Sequence, residues 1–158
     1  MENPDQIPDD ILPALAGQRL QRGVSRLLRS FDFAAVEEMP LAGKLRADIM
    51  ALGPKGEIWI VECKSSRADF RADRKWQGYT GYCDRFFWAV PVDFPREILP
   101  EGAGLILADA FGGEIAGMAA ETALAPARRK AVTRLFARAA ALRLQALRDP
   151  GLALRSGG

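Results

Sequence analysis

Two largely apolar runs in the middle of the chain, residues 44–52 and 57–64, are joined by Gly53-Pro54-Lys55-Gly56. The second run is built from β-branched and aromatic residues, and the joint is a strong turn signal. Together they predict a β-hairpin. With Ala51 set opposite Glu57, Asp48 faces Ile60 and Arg46 faces Glu62. Strand side chains alternate with period two, so Asp48, Glu62 and Lys64 point one way, beside Met50, Ile58 and Ile60. Ala47, Ile49, Ala51, Trp59, Val61 and Cys63 point the other way. Two apolar faces require cover on both sides, which makes the hairpin a central strand pair of an α/β fold. A one-residue slip would send Asp48 and Glu62 to opposite faces, so the acid cluster depends on the pairing register.

The rest of the chain supplies the cover. Residues 11–30 read as an amphipathic helix, with Leu20, Val24, Leu27, Leu28 and Phe31 at helical spacing. Arg19, Arg22, Arg26 and Arg29 lie opposite, as a solvated face or a phosphate-contacting stripe. A strand is expected over 33–38. After the hairpin, Ser66 with Asp69 resembles a helix start, opening a helix over 68–82. The aromatic run 85–92 would then return parallel to 57–64. Short strands follow at 104–108 and 114–118. A final helix over 126–148 carries Val132, Leu135, Phe136, Ala139 and Leu142 as its apolar stripe. The expected organisation is a flexible acidic tail over 1–10, one domain over 11–150, and a flexible tail over 151–158.

The chain has no histidine. Ser-His and Cys-His nucleophilic sites and imidazole acid–base chemistry are excluded. Cys63 and Cys83 form no CxxC pair and read as reduced thiols of a cytoplasmic protein. No run approaches the ~18–20 apolar residues of a membrane span. Chemistry must therefore come from carboxylates, lysine, hydroxyls or a hard metal ion. Two carboxylates side by side repel unless a cation lies between them. A divalent ion with oxygen ligands, Mg²⁺ or Mn²⁺, answers that need. Otherwise Arg46 or Lys64 merely pairs with the acids.

The charge is unevenly spread, although the net value is only +2. Residues 127–148 hold Arg128, Arg129, Lys130, Arg134, Arg138, Arg143 and Arg148 without one acid. Arg67, Arg71, Arg74 and Lys75 follow directly on Lys64. Such surfaces suit a phosphate backbone, although a basic amphipathic helix alone is more often a solvated face or a membrane-surface element. No base-reading motif is present, which points to backbone or structure recognition of DNA.

The hairpin resembles the PD-(D/E)xK nuclease superfamily. Asp48 in "RADIMAL" stands for the first acid, and Glu62-Cys63-Lys64 in "EIWIVECKSS" for the Glu-x-Lys. The longer stretches "RADIMALGPKGEIWIVECKSS", "ADFRADRKWQGYTGYCDRFFWAVP" and "LAPARRKAVTRLFARAAA" resemble the bacterial MmcB family of DNA repair proteins, over roughly residues 15–147. The resemblance implies a restriction-endonuclease-like core, a central mixed sheet flanked by helices, and a metal-dependent DNA endonuclease. It makes Asp48, Glu62 and the backbone carbonyl of Cys63 ligands of Mg²⁺ or Mn²⁺. Lys64 becomes catalytic base or charge stabiliser, and Glu38, with Glu37 second, the assisting acid. Ala47 stands where the superfamily has proline, Gln18 is the nearest polar residue on the first helix, and a Gln-xxx-Tyr spacing fails at Gln77. Lys75 and Tyr79 are one turn apart near the site, whereas Trp76 and Tyr79 also read as packing residues. The alternatives are a non-catalytic DNA-binding or partner-recruiting module on this fold, and an interaction protein whose basic helices dock an acidic partner. Repair-protein partners and a homodimer are left open.

Overall fold

The computed structural model describes residues 12–73 and 76–153. The acidic segment 1–10, Arg74, Lys75 and residues 154–158 lie outside the described residues. Six strands form one sheet in chain order: β1 (Ala34–Pro40), β2 (Arg46–Leu52), β3 (Ile58–Cys63), β4 (Arg85–Val90), β5 (Gly104–Ala108) and β6 (Gly113–Gly117). The first three are an antiparallel meander. β3, β4 and β5 are mutually parallel, and β6 returns antiparallel to β5. The sheet is mixed, as expected, with β3 and β4 at its centre and every β3 residue buried.

Each face of the sheet carries a core. On one, α1 (Leu12–Ser30) seats Leu20, Val24, Leu27 and Leu28 against Ile49, Ala51, Trp59, Val61 and Phe87. Val24 and Leu28 are completely buried, each contributing about 1.5–3 kcal/mol of transfer free energy. Gly23 lets this helix approach closely: a Cβ there would stand 1.7 Å from the carbonyl oxygen of Asp109. Phe31, expected in the same stripe, lies past the helix end and is half exposed. Asp32 takes a left-handed φ of 64° to reverse the chain.

On the other face, α3 (Pro126–Arg148) lays Val132 and Phe136 over Met50, Ile58, Ile60, Phe86 and Trp88. Leu135 and Leu142 of the expected stripe are exposed, while Ala139 of that stripe is half-buried against the core together with Ala140. The helix expected over 68–82 is broken. α2 (Arg67–Ala72) is followed by a 3₁₀ segment, Trp76–Tyr82. Gly78 and Gly81 weaken a continuous α-helix there. The Ser66 start holds, since its hydroxyl accepts from Asp69 N–H at 3.1 Å. The segment expected as a tail from residue 151 begins inside a short helix, α4 (Pro150–Ala153).

The hairpin register differs from expectation by two residues. Ala51 pairs with Trp59, not Glu57. Gly53 N–H bonds Glu57 O at 2.8 Å, and Gly56 N–H bonds Gly53 O. Gly56 has φ +89°, so the loop is a three-residue turn with glycine in the left-handed position. Because the shift is an even number of residues, every side chain keeps its expected face.

Candidate active site

The β2–β3 ladder runs from Leu52↔Ile58 to Ile49↔Val61. One step further, side chains replace its hydrogen bonds. Asp48 N–H donates to Glu62 Oε1 at 2.8 Å, and Cys63 N–H donates to Asp48 Oδ2 at 2.8 Å. Each carboxylate thus satisfies a backbone donor of the opposite strand. The two acids are direct cross-strand neighbours rather than the diagonal pair expected.

β1 adds a third acid to this row. Its pairing with β2 passes from Glu37↔Ile49 to Met39↔Ala47, which sets Glu38 across from Asp48. Glu38 has φ +49°, a strained conformation for a residue other than glycine, costing about 1–3 kcal/mol. Its side chain is held from two elements. Gln21 Nε2 of α1 donates to Oε1 at 2.7 Å, and Arg46 Nε of β2 lies 2.7 Å from Oε2. Glu37 instead turns to Ser25, which donates to Oε1 at 3.0 Å.

Lys64 continues β3, its N–H bonded to Ala89 O at 2.9 Å. The ammonium is buried and lies 3.0 Å from Asp73 Oδ2 and 3.9 Å from Asp69 Oδ1. The basic residues therefore do not pair with the central acids in the way the sequence left open: Arg46 goes to Glu38 and Lys64 to Asp73. Tyr79 closes the floor, its hydroxyl donating to Arg46 O at 2.9 Å. Trp76 packs against Phe86 and Trp88. Trp88, which pairs with Glu62 across β3–β4, has a buried indole N–H without a partner among the described residues.

Burial, then the charge of Asp48, pushes the Glu62 carboxyl up to about 9. Asp48 is raised as well, by burial first, with the Glu38 charge adding to it and the Cys63 N–H opposing. Lys64 is raised: burial disfavours its charge, but the bond to Asp73 and the charges of Asp69, Asp73 and Glu62 outweigh that cost. Without a cation, one proton held by the Asp48–Glu62 pair relieves the repulsion. The donor set is hard oxygen, fitting Mg²⁺ or Mn²⁺ rather than zinc. Among the described residues no group of three or more His, Cys, Asp or Glu is arranged to hold a metal ion. Two carboxylates and a backbone carbonyl suit an ion that keeps several waters.

The remaining candidates disperse. Arg67 sits 4.0 Å from Glu97 on exposed α2, and Arg71 is exposed in its last turn. Arg74 and Lys75 lie outside the described residues. Lys130, Arg134 and Arg138 are exposed along α3, and Arg128 lies over the Tyr82 ring at 4.9 Å. Arg129 does not belong to that surface. It grips buried Asp84 with both terminal nitrogens, at 2.8 and 2.6 Å, and donates to Gly56 O at 2.9 Å. A cavity of about 650 Å³, lined by Arg19 and Leu20 of α1, Ser65 and Phe111, includes none of the carboxylates of the site.

Three residues tied to the site were not read as such in the sequence, and one of them, Arg143, was placed in the basic surface instead. Gln21, not the exposed Gln18, faces the site. It lies three residues before Val24, a polar residue on a buried stripe, and that periodicity was the available signal. Arg143 similarly shares the helix face of Val132 and Phe136. Asp73 was hidden by the expectation of an unbroken helix.

A family model described as DNA repair protein MmcB-like matches residues 14–151. A solved structure of a protein of unknown function from Silicibacter pomeroyi is 62% identical, covers 86% of this chain and 93% of its own, and superposes with a TM-score of 0.83. No curated protein matches the chain. No helix among the described residues is long and apolar enough to cross a membrane.

Proposed function

This chain belongs to the MmcB-like DNA repair protein family, and from that membership and its carboxylate geometry we propose that it is a metal-dependent DNA endonuclease with a PD-(D/E)xK centre at Asp48, Glu62 and Lys64. One observation carries the reading. Buried Glu62 and half-buried Asp48 are each bonded to the other's strand, while Arg46 pairs with Glu38 and Lys64 with Asp73. Unpaired carboxylates are costly to bury, and a hard divalent ion removes that cost. Asp48, Glu62 and the Cys63 carbonyl would hold it, with Glu38 assisting. When bound, the ion supplies Lewis acidity toward a phosphodiester and a water of lowered pKa.

The protein's own groups do the rest. Lys64, ion-paired to Asp73 at 3.0 Å, keeps its proton and acts as a charge stabiliser for the pentacovalent phosphate rather than as the base. Arg67 and Arg71 beside Lys64, with Lys130, Arg134 and Arg138 along α3, offer cations to a DNA backbone. Recognition through backbone or structure rather than sequence follows from the lack of a base-reading motif.

The test is a cleavage panel over nicked, branched, single-stranded and duplex DNA with Mg²⁺ or Mn²⁺. Asp48→Ala and Lys64→Ala are each expected to reduce cleavage at least a hundredfold, while leaving folding and DNA affinity largely intact. Undiminished cleavage by both variants would defeat the proposal. A non-catalytic DNA-binding module draws on the same pairing of Lys64 with Asp73. It predicts DNA binding by wild type without cleavage under any metal.

A further inference from the structure

We propose that Arg143 of α3 is a positioning residue for the carboxylate centre, holding the left-handed turn of β1 that sets Glu38 beside Asp48. Glu38 is one of only two non-glycine residues with positive φ among the described residues. A strained residue persists only where its surroundings over-determine it. Here the surroundings come from three elements. Gln21 of α1 and Arg46 of β2 hold the carboxylate. Arg143 holds the backbone: its two terminal nitrogens donate to the carbonyls of Glu37 and Glu38, the latter at 2.6 Å.

The geometry suits arginine in particular. A planar guanidinium presents parallel N–H groups that span two successive carbonyls, which a lysine ammonium cannot match. The turn leaves Glu38 outside the ordinary ladder, since the paired residues on either side are Glu37 and Met39. Arg143 donates to the carbonyl of this unpaired residue and to that of the residue before it. It also shares the helix face of Val132 and Phe136, which anchor α3 to the sheet. The long basic helix is thus tied to the third acid of the row by one side chain, without touching Asp48, Glu62 or Lys64. Groups that orient a metal ligand from behind typically change metal affinity by about 10–100-fold when lost.

The ion-binding part of the inference rests on the reading proposed above, and the backbone part does not. Two measurements on the full chain therefore separate them. Amide hydrogen exchange over residues 36–40 is expected to accelerate about tenfold in Arg143→Ala, with β3 and β4 unchanged. Arg143→Lys should restore it only partly. Manganese titration by calorimetry is expected to show affinity at least about tenfold weaker in Arg143→Ala than in wild type. Unaltered exchange over residues 36–40 overturns the positioning role. Altered exchange with unaltered Mn²⁺ affinity overturns the link to the ion. A wild type that binds no Mn²⁺ overturns both that link and the nuclease reading, leaving the exchange result to decide the backbone role. Loss of protection throughout the sheet would mean that Arg143 is a general stabiliser, which also overturns it.

Discussion

Glu62 sets the chemistry of the site through its proton. Its carboxyl is held up to about 9, by burial first and by the Asp48 charge second. An unfolded glutamate titrates near 4.5. Between those values the folded state binds the proton that the unfolded state has lost. Folding stability must therefore fall as pH rises from about 4.5 to 9, by up to about 1.4 kcal/mol per pH unit from this group. Urea unfolding of metal-free protein across that range should reveal the slope, and Glu62→Gln should remove most of it. An unchanged slope in Glu62→Gln would place the proton elsewhere. At this scale the sequence was largely legible. Asp48, Glu62 and Lys64 stand out by type and spacing, and an even register shift could not scatter them. The proton itself was not legible, because it depends on burial and on the distance between two side chains. Nor was the choice of Lys64 for Asp73, which required α2 to end at Ala72 with Asp73 as its C-cap.

Among the elements, α3 is the best test of how the layers are joined. Arg129 was read as part of a DNA-facing stripe, but it fastens α3 to the hairpin through Asp84 and Gly56. Burial pushes the Asp84 carboxyl up, and the Arg129 guanidinium with the N–H groups of Leu124 and Ile58 more than offsets it, holding the group at about 2. That contribution to stability is present above pH 3.8 and fades as pH falls through 2. Arg129→Ala leaves a buried carboxylate with backbone donors alone, and should destabilise the fold by about 3 kcal/mol. Denaturant midpoints would measure it, and a loss below about 0.5 kcal/mol would contradict the role. Strand period and turn chemistry made β2, β3 and β4 legible, since both patterns are local. The broken helix after Ser66 and the bend at Glu38 were not, because tertiary partners impose them. Helical spacing marked the inward face of α3 but could not say which arginine on it would find an acid.

For the whole molecule, the arrangement is one of opposed charge. A row of acids crosses three strands, and exposed cations lie on α2 and α3. Composition gave only a small net charge, which conceals this separation. The order of elements gave the mixed sheet and its two covered faces, so the fold class followed from the central hairpin. The centre's most direct test is a calorimetric Mn²⁺ titration at pH 7 in two buffers of different ionisation enthalpy. Metal ligands must shed their protons, so wild type should bind with release of about one proton, and Asp48→Ala should abolish binding. Binding that survives in Asp48→Ala, or that releases no proton, would contradict the account.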